Sequence, residues 1–169
     1  MEQSKLENPE KSKESRNLSK VFVCVITHDR PDFLESRTFP SIKKQSYPIS
    51  GFLLVDDSEQ AVNRTRNKTL LENAGIPNAI YMRNTRTPGA AGAWNTGIDW
   101  VFARDEDAYI AFLDDDDEWK DEHVQTCVEH SDGAHAVISG MEVLKDGELI
   151  AENKPSHLSE QDFLEGNPG

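Results

Sequence analysis

Four apolar runs, separated by polar or amphipathic stretches, set the rhythm of the chain. The first, VFVCVIT from Val21, is β-branched and shows no in-and-out alternation, as expected of a strand covered on both faces. GFLLVDDS from Gly51 repeats the pattern and ends in acids. Shorter runs follow in AIYMR from Ala79 and AYIAFLDD from Ala108. Between the first two lies RPDFLESRTFPSIKKQ, which predicts a helix interrupted or restarted at Pro40, because proline has no N–H to continue the ladder. Residues 62–73 predict a polar helix and 92–103 a more apolar one. Strands alternating with helices of this length predict βαβ units, hence an α/β three-layer sandwich around a mostly parallel sheet. Past Trp119 the pattern predicts a helix near 122–130, a strand over AHAVISGMEVL, a turn at Asp146-Gly147 and a short helix near 159–164. Residues 1–20 mix Lys, Glu, Ser and Asn with almost nothing apolar, so burial there does not offset ordering entropy and an unstructured tail is expected. Residues 21–169 remain as one domain.

Composition narrows the function classes. A chain of 169 residues with 36% hydrophobic content supports one modest core. The net charge of −13 argues against a nucleic-acid backbone or an anionic membrane surface as partner, since both need clustered Lys and Arg. No apolar run approaches the roughly 18 residues of a membrane span, and no secretory h-region opens the chain, so a cytoplasmic protein is expected. Cys24 and Cys127 form no CxxC pair and sit in predicted core segments, which makes both buried thiols. In a chain expected to stay unsecreted, the sequons at Asn17, Asn63 and Asn67 carry no weight.

The polar residues gather where the strands end. Open α/β sheets collect ligands at the carboxyl ends of their parallel strands. Here THD follows the first strand, DDS the second and DDDD the fourth. Adjacent carboxylates at about 4 Å repel by about 1 kcal/mol in water and about 4 kcal/mol at an effective dielectric near 20, so the run Asp114 to Asp117 calls for a cation. Oxygen-only ligands without His or Cys beside them suit Mg2+ or Mn2+, held through one or two carboxylates and a ligand's phosphates. In an extended chain residues two apart share a side, which pairs Asp114 with Asp116 and turns Asp115 and Asp117 away. Asp117 also suits a helix cap. An EF-hand is excluded, because Trp119 or Lys120 stands where the loop needs Gly. A dinucleotide fingerprint is excluded as well, because THDRP follows the first strand in place of G-x-G-x-x-G.

Four of these segments, VITHDRPDFL…SIKKQSYP, LLVDDS, TPGAAGAWNTGI and YIAFLDDDDEW, resemble in order and spacing the N-terminal half of family-two glycosyltransferases. That family is metal-dependent and inverting, and it has the GT-A fold. The resemblance runs from Val21 to Trp119, and more loosely to FLEGNPG. It implies a GT-A-like sandwich and places a nucleotide site on Thr27, His28, Asp29 and Arg30, with His28 where the family carries an aromatic residue against the base. Asp56 matches the family's first acid of V-D-D-x-S, which accepts a hydrogen bond from the base, and Asp57 follows it. Asp114, Asp115 and Asp116 match the D-x-D, with Asp116 as metal ligand and Asp114 nearer the ribose or donor sugar. Trp94 stands where Arg is commoner. Gly89 and Gly92 would let a helix N-terminus approach a phosphate, with Arg83 or Arg86 as counter-charge.

The reaction so implied moves a sugar from a nucleotide diphosphate, with UDP favoured by the family's habits, to the hydroxyl of a glycan, lipid carrier or protein. In the resembling family the general base lies beyond the segment similar to FLEGNPG, so turnover is expected to need a longer chain or a complementing one. Glu118, Asp121 and Glu122 are the nearest acids able to substitute for that base. Two alternatives are a non-catalytic nucleotide-sugar-binding module and another Mg2+-dependent nucleotidyltransferase, although the latter's glycine- and lysine-bearing phosphate loop is not seen.

Overall fold

A computed structural model describes residues 18–131 and 134–153. Most of the expected N-terminal tail and the helix expected near 159–164 lie outside the described residues. The chain runs β1 (Val21–Thr27), a helical segment, β2 (Gly51–Asp56), α3 (Ala61–Asn73), β3 (Ala79–Arg83), α4 (Ala90–Phe102), β4 (Tyr109–Asp114) and α5 (His123–Glu129). The helical segment after β1 has three parts: α1 (Pro31–Phe33), a π-turn (Leu34–Thr38) and α2 (Phe39–Lys43). As expected, the α-helix restarts at Pro40, which stands in the first turn of α2 directly after the π-turn. The extra residue of the π-turn is absorbed where Phe39 N–H donates to the Leu34 carbonyl, just ahead of the residue that has no N–H to give.

All four strands of the main sheet are parallel, in the order β3-β2-β1-β4. Their pleat sends alternate residues to opposite faces. Val23, Val25, Phe52 and Leu54 pack with Leu34, Phe39, Ile42, Leu71 and Ile76 on one face. Cys24, Leu53 and Val55 pack with Ala93, Val101 and Ala108 of the α4 side on the other. Helices therefore cover both faces, as the unalternating β1 and β2 runs require; β2 is buried along its whole length. Gly97 lets α4 lie against β1, because a Cβ there would stand 2.4 Å from Cys24 Sγ. α5 closes a smaller cluster in which Val124 meets Val21 and Tyr47.

The strand order places the topological switch between β1 and β4: the chain steps outward from β1 to β2 to β3, then returns to the other side of β1. Ligands in open α/β sheets bind in the crevice at that point.

The C-terminal part departs from expectation. The strand expected over AHAVISGMEVL forms only as β5 (Met141–Lys145), which pairs antiparallel with β6 (Glu148–Asn153) in a separate hairpin. The turn at Asp146-Gly147 forms as expected, with both residues at positive φ, 53° and 84°. Both strands are exposed throughout. Among the described residues no helix is long and apolar enough to cross a membrane.

Candidate nucleotide site

The loops after β1, β2 and β4 are joined by hydrogen bonds into one unit. At the switch point, Thr27 Oγ1 donates to Asp115 Oδ2 at 2.7 Å, and His28 N–H donates to the same oxygen at 3.3 Å. Toward β2, the His28 Nδ1 lies 2.9 Å from the Asp57 carbonyl oxygen, and Asp29 N–H donates to Ser58 Oγ at 2.8 Å. The three clusters expected at the strand ends thus face one place.

Within that unit the residues divide their work. Asp29 takes a left-handed φ of 56°, and its carboxylate reaches across to α3, accepting from Glu59 N–H, Gln60 N–H and Asn63 Nδ2. Helix α3 has no side-chain cap of its own, so Asp29 supplies one from a distance. The Asn63 bond, against a counteracting burial, holds the Asp29 carboxyl below the usual range.

Asp56 is fully buried and turned into the fold. It accepts from Ser58 N–H at 2.7 Å, Asn67 Nδ2 at 3.1 Å and Tyr81 Oη at 2.7 Å, with Arg83 Nη1 at 3.4 Å. Four donors occupy the lone pairs a base would need. Asp57 lies nearer the rim: its carboxylate takes Asn84 Nδ2 at 2.8 Å and Gly89 N–H at 2.6 Å. Those bonds tie the β3–α4 loop to the sheet. Gly92 seats the same loop, since a Cβ there would fall 1.8 Å from the Thr87 carbonyl oxygen. At the helix N-terminus that Gly89 and Gly92 were expected to bring toward a phosphate, the Gly89 N–H is engaged by Asp57. Arg86 pairs with Asp99 and Arg83 with Asp56, so neither of the two expected counter-charges is unpaired. Trp94 packs its ring against Phe112 at a centroid distance of 6.0 Å, while its indole N–H is buried without a partner. An apolar contact to β4 fills the position where the resembling family commonly has Arg.

The acid run does not keep the strand's alternation. β4 ends at Asp114, and Asp115 and Asp116 form a turn. In that turn Asp115 points inward and is fully buried, whereas the extended-chain argument expected it to face away. Arg30 Nη2 sits 2.7 Å from Asp115 Oδ1, close enough for an ion pair although not aligned for a hydrogen bond, and Arg30 Nη1 donates to Asp116 Oδ2 at 2.5 Å. Asp116 is 41% exposed. Burial, then Asp117, Asp116 and Asp115, push the Asp114 carboxyl above the usual range, and its Oδ1 is buried with no hydrogen-bond partner. Burial likewise pushes Asp115 up, opposed by Thr27 and Arg30. Asp117 does not cap a helix: α5 opens later, after Glu122.

Two contributors to the acid turn and two behind it escaped the sequence. Thr38 Oγ1 donates to the Asp115 carbonyl at 2.6 Å, and Arg37 Nη1 to the Asp116 carbonyl at 3.3 Å. Both come from the π-turn, whose only sequence signal is the proline that follows it. Asn67 and Tyr81, which hold Asp56, look from the sequence like an ordinary polar helix residue and an edge-strand aromatic.

Among the described residues no group of three His, Cys, Asp or Glu side chains is placed to hold a metal. Two carboxylates completed by phosphates remain a suitable donor set for Mg2+ or Mn2+, and the unpartnered Asp114 oxygen beside half-exposed Asp116 fits that chemistry.

A parallel sheet whose acids converge at its switch point makes this a ligand-binding type of α/β domain, and solved glycosyltransferase structures share its GT-A-type fold. TarS from S. aureus superposes with a TM-score of 0.50 at 21% identity, over 69% of this chain and 20% of that one. The mannosyltransferase PcManGT from Pyrobaculum calidifontis, solved in complex with GDP-Man and Mn2+, gives 0.55 at 19% identity, over 75% of this chain and 35% of its own. The chain therefore spans a fifth to about a third of the length of these structures. No curated protein matches the sequence significantly. Residues 22–167 match the sequence profile of glycosyl transferase family 2, and the chain belongs to that family.

Proposed function

We propose that this chain forms the donor-binding part of an inverting glycosyltransferase, taking a nucleoside-diphosphate sugar at the carboxyl ends of β1, β2 and β4. The observation that carries this reading is the Thr27–Asp115 bond across the switch point, with the His28–Asp57 contact beside it. Together they gather three polar loops into the crevice where the fold binds ligands. Family membership supports sugar transfer, and the GDP-Man in the PcManGT complex supports a nucleoside diphosphate as the carrier class.

Asp116 and Asp114 would hold a divalent cation together with the two phosphates. Such a cation supplies Lewis-acid stabilisation of the departing diphosphate when bound. The chain's own residues do the positioning. Asp115, fixed by Thr27, sets the height of the acid turn, and Asp57 fixes the β3–α4 loop through Gly89. The His28 ring, 54% exposed at the mouth of the unit, offers a face to the nucleoside base. Asp56 and Asp29 act behind them, bracing β2 and α3. The acceptor-activating base is assigned to no residue of this set; Glu118, Asp121 and Glu122 follow the acid turn on exposed chain.

Calorimetric titration with UDP and with GDP, each with and without Mn2+, tests the proposal on wild type and Asp116→Ala. Metal-dependent binding that disappears in the variant supports the site. Equal binding by both proteins removes Asp116 from it. A donor-consumption assay on this chain alone then separates a binding part from a complete catalyst.

A further inference from the structure

Arg30 is placed by two constraints. The left-handed Asp29 before it is locked onto α3 by three hydrogen bonds, which fixes where the Arg30 side chain starts. At its far end one prong of the guanidinium lies against Asp115, fully buried and held by Thr27, while the other lies on Asp116, which is 41% exposed. Among the described residues Arg30 is the cation on the Asp116 carboxylate, since Arg37 reaches only the Asp116 carbonyl. The two contacts differ in kind: the buried one is costly to break because it would strand a charge, and the exposed one is readily exchanged.

Resting on the metal role of Asp116 given above, we infer that Arg30 is the acid turn's built-in counter-cation and competes with the divalent metal for Asp116. When the metal binds, Asp116 exchanges guanidinium for the ion and Arg30 keeps its hold on Asp115. Asp115 and Asp116 are thereby tolerated side by side without metal: one guanidinium bridges both, at the cost of weakening the free site for cations. The fork geometry makes arginine suited to the task, since a lysine cannot span both carboxylates.

The test is Mn2+ binding in the absence of nucleotide, followed by the loss of free-Mn2+ electron paramagnetic resonance signal, on wild type, Arg30→Met, Arg30→Gln, Arg30→Lys and Asp116→Ala. Removing a half-exposed charge next to the ligand is expected to tighten Mn2+ binding roughly five- to tenfold in the Met and Gln variants, with Lys between them and wild type. Thermal unfolding gives a second readout: without metal both neutral variants melt below wild type, and Mn2+ raises their melting temperature by more than it raises that of wild type. Arg30→Gln retains donors for Asp115 and reports even if the Met variant does not fold. Unchanged or weaker Mn2+ binding in a folded neutral variant overturns the competition and leaves Arg30 a positioning residue. Equal binding by wild type and Asp116→Ala removes the metal role of Asp116, and with it the inference, and absence of binding in every protein does the same.

Discussion

Thr27→Val removes one buried hydroxyl and little else. Valine keeps the volume and the β-branched shape that β1 favours, so the perturbation is the loss of the 2.7 Å bond from Thr27 Oγ1 to Asp115 Oδ2. Hydrogen bonds to charged groups are worth about 1.5–3 kcal/mol. Because His28 N–H and Arg30 remain on Asp115, the middle of that range, about 2 kcal/mol, is expected, or roughly 4–8 °C in melting temperature. The pH dependence follows from the direction of the Asp115 shift. Burial raises its carboxyl above 3.8, and Thr27 is the first of the groups that pull it back. A raised carboxyl favours the fold below its unfolded value and loses that advantage as pH rises through the folded value. Deleting Thr27 raises the folded value further, so the penalty is full above both folded values and shrinks as pH falls through them toward 3.8. Urea unfolding at several pH values, with Thr27→Ser as the hydroxyl-keeping control, measures it. A penalty under about 0.5 kcal/mol at neutral pH, or one that grows on acidification, would refute the placement of an ionised Asp115 against Thr27.

Two further outcomes probe the framework around the site. Gly97→Ala should destabilise by about 1–3 kcal/mol in chemical unfolding, because its Cβ would stand 2.4 Å from Cys24 Sγ, and Cys24→Ala in the same chain should recover much of the loss. The Cys24 thiol, pushed up to about 12 by burial, should resist a thiol reagent until the protein unfolds, whereas half-buried Cys127 should react in the native state. Equal native reactivity at the two cysteines would contradict the packing of α4 on β1.

The sheet was legible because its strands are written as apolar runs of about the right length, and because β1 and β2 lack alternation as doubly covered strands must. The convergence of their polar ends was legible too, since parallel strands present those ends to one edge. The division of labour among the acids was not. Alternation assumes extended backbone, and the strand stops at Asp114, so Asp115 turns inward onto Thr27 where period-two reasoning sent it outward. Asp29 and Asp56 carry the same residue type as Asp57 and Asp116, yet one caps α3 and the other is enclosed by four donors. Apart from Ser58, two residues beyond Asp56, those roles depend on partners 11 to 34 residues away in sequence, such as Asn63 and Asn67, which no local pattern marks. The long strand expected before Asp146 failed for a related reason: its first half offers β-branched residues but no neighbouring strand to pair with among the described residues, and only the part opposite β6 forms a ladder.

Paramagnetic broadening of backbone amide signals by Mn2+, in the presence of a nucleoside diphosphate and with Mg2+ as the diamagnetic reference, addresses the placement of the metal–diphosphate site most directly. The account predicts that the amides of Asp114 to Asp117 and Thr27 to Arg30 are lost first, and that Asp116→Ala abolishes the effect. Broadening centred elsewhere, on the β5–β6 hairpin or the acids around Glu129, would contradict a site at the switch between β1 and β4.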